Sequence, residues 1–218
     1  MKTLVVGASR GIGAQLAGQS SKARHEVTAT VRSGDGPSDA YVVRCDVADD
    51  TSVIEAAEAA REHGPFDLLV HNAGINPSSG QSFGSADADV WRETFEVNVL
   101  GPLRVAEGFG PLLREGAVAA FVSSQLGSMS LGGGVGYPAY NASKAALNKM
   151  VQDLAAAWKP RGVTVLALHP GWVRTDMGGP NAAISAEESA RGILEVVTLK
   201  GIAETGTFWN WDGTPHAW

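Results

Sequence analysis

Three glycines, Gly7, Gly11 and Gly13, lie between a short apolar run, Leu4-Val5-Val6, and a segment with Ile12, Leu16 and Ala17 on one helical face. No other feature limits the possible folds as strongly. Glycines in a strand-to-helix turn let backbone approach a pyrophosphate, and the helix N-terminus adds N–H donors and partial positive charge. The spacing is Gly-x-x-x-Gly-x-Gly, not the commoner Gly-x-Gly-x-x-Gly. A tight turn without a ligand is the simpler alternative. The position directly after a first strand favours dinucleotide binding, with Ser9, Arg10 and Ile12 sharing the loop.

The rest of the chain repeats this alternation. Apolar runs at 4–6, 27–31, 41–43, 66–70, 117–122, 163–168 and 206–209 read as strands. Helical periodicity marks 12–23, 53–61 (with Thr51 as N-cap), 87–100, 140–158 and 187–199. Continuous apolar strands imply a sheet buried on both faces. The expectation is an α/β fold: one doubly wound domain over 1–218, with a mostly parallel seven-stranded sheet and helices on both faces. A length of 218 residues suits one core and is short for two.

Composition removes several function classes. The net charge is −6 with no basic run, which offers nothing to nucleic acid or an anionic membrane. The single cysteine, Cys45, excludes an internal disulfide and a Cys-rich zinc site, and it reads as a small buried residue. His25, His63, His71, His169 and His216 lack ligand spacing, so no metal is expected. The apolar run at 4–6 is too short for a signal-peptide core. Residues 116–143 carry no charge, but serines, Gln125, Asn141 and glycines make them a strand plus polar loop, not a membrane span. A soluble, cytoplasmic protein is expected.

Arg32 ends the second strand, where an acidic residue would hold the 2′-hydroxyl of NAD and an arginine accommodates the 2′-phosphate of NADP. Arg10 and Arg32 can converge on one phosphate, so NADP(H) is expected to be preferred, with NAD(H) possible. Asp35 is the counter-candidate, but it lies beyond the strand. Tyr140 and Lys144 are four residues apart on one helix face. An ammonium beside a phenol favours the phenolate, so Tyr140 is expected to have a lowered pKa and to act as a general acid or base. Pro102 lacks the N–H that the Asn98 carbonyl would accept in a helix, leaving that carbonyl free; alternatively, Gly101-Pro102 simply ends the helix.

Gly7 to Gly13, Asn72-Ala73-Gly74, Asn98, Ser123-Ser124, Tyr140-x-x-x-Lys144 and Pro170-Gly171 occur in that order. Together they resemble the short-chain dehydrogenase/reductase family. Residues 123–128 and 169–179, with the ending Phe208-x-x-x-Asp212-Gly213 and Trp218, resemble its C-factor and sniffer-like carbonyl reductases. The resemblance implies a Rossmann domain and specific roles. Tyr140 would protonate a carbonyl oxygen as hydride arrives from the nicotinamide. Lys144 would lower the tyrosine pKa and bond the nicotinamide ribose. Ser124 would polarise the substrate oxygen, and Asn98 would position a relay water. Asp46 and Val47 would meet the adenine. Asn72, Ala73 and Gly74 would line the cofactor, and Pro170, Gly171, Val173 and Thr175 would hold the nicotinamide amide.

Three positions depart from the family. Val6 replaces the usual threonine, losing a hydroxyl that bridges to the Asn72 region. His71 replaces an asparagine. The gap from Ser124 to Tyr140 is wide and glycine-rich, so Ser123 and Ser128 stay candidates beside Ser124. Substrate contacts are expected from 75–83, 126–137 and 172–186, with Leu126, Tyr137, Trp172 and Met177 forming an apolar pocket under a small lid. Trp158, Trp209, Trp211 and Trp218 are expected in the core or a subunit contact.

Three functions follow as expectations. The first is NADPH-dependent reduction of a ketone or aldehyde. The second is an NADP(H)-binding signalling protein of C-factor type that needs no turnover. The third, a sugar-nucleotide epimerase or dehydratase, lacks room for its usual extra substrate domain. The resemblance also implies a homodimer or homotetramer through 87–114 and 140–158.

Overall fold

A computed structural model of the chain describes residues 1–77, 81–132 and 136–218. Gly133 and Gly134, expected in a pocket loop, and residues 78–80 of the expected 75–83 wall lie outside the described residues.

The strands are β1 (Lys2–Val6), β2 (Glu26–Val31), β3 (Tyr41–Arg44), β4 (Phe66–His71), β5 (Leu113–Val122), β6 (Thr164–His169), β7 (Val173–Arg174), β8 (Ile184–Ser185) and β9 (Thr207–Asn210). The helices are α1 (Gly11–Lys22), α2 (Asp50–Arg61), α3 (Ala88–Phe95), α4 (Gly101–Phe109), α5 (Pro138–Trp158) and α6 (Ala186–Leu199). Seven strands form one sheet in the order β3-β2-β1-β4-β5-β6-β9, and every neighbouring pair is parallel. This is the expected doubly wound α/β architecture. Strand order reverses between β1 and β4, and a ligand crevice opens at such a switch point.

Alternate residues of each strand feed two apolar layers. Leu4, Val6, Leu69 and Phe121 face α2, α4 and α5, while Val5, Leu68, Val70 and Leu168 face α1 and α6. Trp158 is buried, and Trp209, Trp211 and Trp218 pack against these layers. Cys45 is buried, and burial pushes its thiol up to about 12.

Local signals needed three corrections. The N-cap of α2 is Asp49, whose carboxylate accepts from the Ser52 N–H, not Thr51. A carboxylate in extended backbone just before the first turn is the stronger cap. Gly101-Pro102 does not end the helix. Residues 96–100 widen to an i→i+5 winding, with the Gly101 N–H donating to the Glu96 carbonyl, and α4 continues with Pro102 in its first turn. The winding continues past Pro102, whose missing N–H falls where the helix has widened. The short β7–β8 ladder went unread because two residues carry no periodicity.

Candidate active site

Four segments meet at the C-terminal edge of the sheet. After β1, Arg10 is the N-cap of α1 in extended backbone, and its side chain caps nothing. The first N–H groups of α1 therefore face the glycine turn without a side-chain partner. Gly7 and Gly11 adopt positive φ, and a Cβ on Gly7 would lie 2.8 Å from the Ala73 backbone. The hydroxyl lost at Val6 is replaced by main chain. The Asn72 and Ala73 N–H groups both donate to the Val6 carbonyl at 2.9 and 3.1 Å, and the Asn72 amide donates to the Gly7 carbonyl at 2.9 Å.

Asn98 is fully buried in the widened turn. Its Oδ1 accepts from the Ile75 N–H at 2.9 Å, and its Nδ2 donates to the Ile75 carbonyl at 2.8 Å and to Ser143 Oγ at 3.0 Å. Its side chain thus ties the 72–77 loop to α5. Gly74 lies against both Asn98 and Lys144. Ser143 Oγ also donates to the Tyr140 carbonyl at 2.7 Å. Sequence reading passed over Ser143, although its i+3 spacing from Tyr140 was a usable signal.

Geometry separates the three serines. The Ser124 hydroxyl is the one that acts on the Tyr140 phenol, holding its pKa down against burial, and it accepts from the Leu126 N–H at 3.1 Å. Ser123 is committed to Asn148 Oδ1 at 2.5 Å, and the Ser128 hydroxyl accepts from the Leu131 N–H at 3.2 Å. Asn148 also donates to the Gly127 carbonyl at 3.1 Å. It was missed, yet it continues the Tyr140–Lys144 face by one more turn. His169, read as one of the scattered histidines, accepts at Nδ1 from the Gln125 N–H at 3.2 Å and so holds the turn that follows Ser124. Burial lowers its pKa to about 4.

The expected electrostatics of the pair are reversed. Burial raises the Tyr140 pKa above its ordinary 10, opposed by the Ser124 hydroxyl. Lys144 Nζ lies 5.7 Å from the Tyr140 ring centre and donates to the Val122 carbonyl at 2.9 Å. Burial lowers its own pKa to about 8. Desolvation penalises each charged form, and the Lys144 ammonium is engaged by the Val122 carbonyl. Tyr140 therefore stands as a protonated phenol.

The remaining expected cofactor residues lie in the glycine turn and in the segments that follow β2, β3 and β6. Thr175 lies beside Gly11 and accepts from the Gly178 N–H at 3.2 Å. The Val173 side chain is buried, Gly171 has φ +84°, and the Pro170 carbonyl accepts from Ser189 Oγ at 2.7 Å. Asp46 caps its own turn through the Ala48 N–H at 3.0 Å, and Val47 is buried against Gly101. Ser9 and Arg10 are exposed and Ile12 half-buried. Arg10 pairs with Asp176, while Arg32 is exposed at the end of β2 with no ion-pair partner among the described residues. The two guanidinium groups are not joined. An open helix N-terminus, a glycine-rich turn and two arginines nonetheless fit a dinucleotide that carries an extra phosphate.

A cavity of about 440 Å³ adjoins the site, with Phe83, Trp91, Leu126, Met129, Pro138 and Ala142 in its wall. Of the four expected substrate residues, only Leu126 lines it. Tyr137 stands outside as the N-cap of α5. Trp172 and Met177 are 55% and 52% exposed. Trp172 Nε1 donates to the Gly178 carbonyl at 2.9 Å, and the β7–β8 ladder holds this segment away from the cavity. Trp91, on α3, escaped notice because a lone aromatic on a helix reads as core.

Comparison with known proteins agrees with this geometry. The family model for short chain dehydrogenases matches residues 2–183. C-signal of Myxococcus xanthus is 41% identical over 157 residues, covering 71% of this chain and 94% of that protein. The carbonyl reductase Sniffer of D. melanogaster has a TM-score of 0.88 at 27% identity, covering 100% of this chain and 99% of that one. The NADPH-bound carbonyl reductase from chicken fatty liver has a TM-score of 0.89 at 28% identity, covering 100% and 98%.

Proposed function

Because this chain belongs to the short-chain dehydrogenase family, we propose that it is an NADP(H)-dependent oxidoreductase that reduces a ketone or aldehyde to an alcohol. One observation carries the reading: a protonated Tyr140, one helical turn from Lys144 and with the Ser124 hydroxyl acting on its phenol, stands beside an apolar cavity. NADPH, when bound, supplies hydride to the carbonyl carbon. The chain's own groups handle the oxygen. Ser124 donates a hydrogen bond to it, and Tyr140 gives it a proton. Tyr140 is in the proton-donating form this direction needs. Lys144 supports the phenolate left behind, because attraction to a nearby ammonium grows once that charge appears. With the Asn98 side chain committed to Ile75 and Ser143, its main-chain carbonyl is the group available to a proton relay.

Residues 1–218 act as one cofactor domain in this reading. The turn from Gly7 through Ser9, Gly11, Ile12 and Gly13 takes the diphosphate, and Arg10 and Arg32 take the 2′-phosphate. Asp46 and Val47 take the adenine, and Asn72, Ala73 and Gly74 line the middle. Lys144 takes the ribose, and Pro170, Gly171, Val173 and Thr175 take the nicotinamide end. The NADPH held by the chicken carbonyl reductase supports this choice. Among the described residues no helix is long and apolar enough to cross a membrane. A cytoplasmic homodimer or homotetramer is the setting proposed. NADPH oxidation across a panel of aromatic ketones and α-dicarbonyls, with NADH in parallel, tests the reading. Activity with NADPH that is lost in Tyr140→Phe is expected; a clear NADH preference would overturn the cofactor assignment.

Similarity to C-signal favours a second reading, in which cofactor binding serves signalling without turnover. A Tyr140→Phe chain that keeps its biological effect would select it.

A further inference from the structure

Residues 68–86 and 116–143 contain no Asp, Glu, Lys or Arg, in a chain where charged residues make up 18%. The fold brings these two runs to one place. β4 and β5 pair in parallel, so the segments leaving their C-terminal ends open on the same side of the sheet. Ser82 and Phe83 from the first run and Leu126 to Met129, Gly132 and Gly136 from the second meet across the 440 Å³ cavity, which α5 and Trp91 complete. Among the described residues, every wall residue is uncharged. The polar side-chain groups there are the hydroxyls of Ser82 and Ser128, the amide of Asn141 and the indole N–H of Trp91. His71, the only imidazole in either run, is buried.

Of the charged groups near these runs, Asp87 caps α3 through the Asp89 N–H, and Glu93 is exposed to water. Lys144 is buried and faces the Val122 carbonyl. On α3, Arg92 and Asp89 pair with each other at the surface. An ion drawn from water into this wall would meet no counter-ion, and hydroxyls and one amide return little of its lost hydration.

Resting on the carbonyl-reductase reading, we propose that this cavity selects by charge: it seats the uncharged, apolar body of the carbonyl compound and rejects substrates with a carboxylate, phosphate or ammonium on that part. The excluded classes include keto acids and carbonyls carried on phosphorylated handles, where the ionic group must enter the cavity.

A matched series tests this: methyl 4-acetylbenzoate, 4-acetylbenzoate and 4-acetyl-N,N,N-trimethylanilinium, which share one aryl ketone. The ester is expected to exceed both ions in kcat/KM by about a hundredfold. Equal or better use of the anion overturns the proposal. Calorimetric titration of the same compounds gives a readout independent of turnover. Binding of the ester with rejection of both ions supports the proposal, and failure of the ester to bind overturns it. Absence of NADPH oxidation with that binding order intact would instead indict the reductase reading. Met129→Lys adds a cation at the cavity rim, at a side chain 83% exposed and so safe for folding. It is expected to shift the anion-to-ester ratio about tenfold towards the anion. An unchanged ratio means that the substrate body sits elsewhere and overturns the assignment to this cavity.

Discussion

The glycine turn and the cavity rim are both rich in glycine, yet they use it for opposite reasons. In the turn, a Cβ on Gly13 would lie 2.0 Å from the Gly7 carbonyl oxygen and 2.7 Å from the Asn72 amide. On the rim, a Cβ on Gly132 or Gly136 would meet nothing within 4 Å, and what calls for glycine is a φ of +73° or +113°. Gly13 excludes a side chain by contact, whereas Gly132 and Gly136 do so by backbone conformation alone. The 27 glycines of the chain therefore include two kinds. One holds strand ends together around the cofactor crevice, and the other shapes a neutral wall with space beyond it.

The sharpest way to break this comparison is at the junction of the two regions. Tyr140→Phe keeps the buried ring and removes the proton donor, so kcat is expected to fall about a thousandfold. Its thermal midpoint and NADPH affinity, set by the packed side, should barely move. Undiminished turnover would remove Tyr140 from the chemistry. Next in size, Arg32→Asp is expected to raise the KM for NADPH by roughly 10- to 100-fold while sparing that for NADH, the scale of lost charge-assisted bonds. Parallel kinetics with both cofactors read it directly, and an unaltered ratio would leave the 2′-phosphate to Arg10.

Within α1 the comparison can be made on one helix. Gly13→Ala forces a methyl into backbone and is expected to cost about 1–3 kcal/mol. Gly18→Ala has open space and should gain up to about 1 kcal/mol. Urea unfolding of both variants, with Gly136→Ala as the rim counterpart, tests the distinction; equal effects would erase it. A separate test of the packed side is acid stability. His71 is buried, with neither ring nitrogen hydrogen-bonded among the described residues, and burial holds its pKa at about 3 against an ordinary 6.5. The unfolded chain binds the proton first, so stability is full above pH 6.5 and falls towards pH 3, by at most about 1.4 kcal/mol per pH unit. His71→Leu should flatten that limb between pH 7 and 5. His169, with its pKa at about 4, should retain a share of the slope.

Much of this molecule was legible before any coordinates. The seven parallel strands, the turn opening α1 and the shared face of Tyr140 and Lys144 follow from apolar periodicity and from glycine and proline placement. These are local properties, set by a repeat of 2 or 3.6 residues. Where local signals failed, the cause was also physical. Pro102 looked like a helix end, but its missing N–H falls where the helix has widened. Trp172 and Met177 looked like pocket residues because they are apolar and near Pro170-Gly171. The hydrogen bond from Trp172 to Gly178 and the β7–β8 ladder turn that segment elsewhere.

By itself, then, the sequence determined the sheet, the glycine turn, the order of the motifs and the absence of charge from the two runs that become the cavity wall. The tertiary structure alone decided that Ser124, not Ser123 or Ser128, meets Tyr140, that Asn148 and His169 brace the turn after it, and that the Tyr140 pKa rises. Hydrogen-bond partners far apart in the chain and the loss of water around a buried phenol are set by how strands and helices pack, and no spacing along the chain encodes either one.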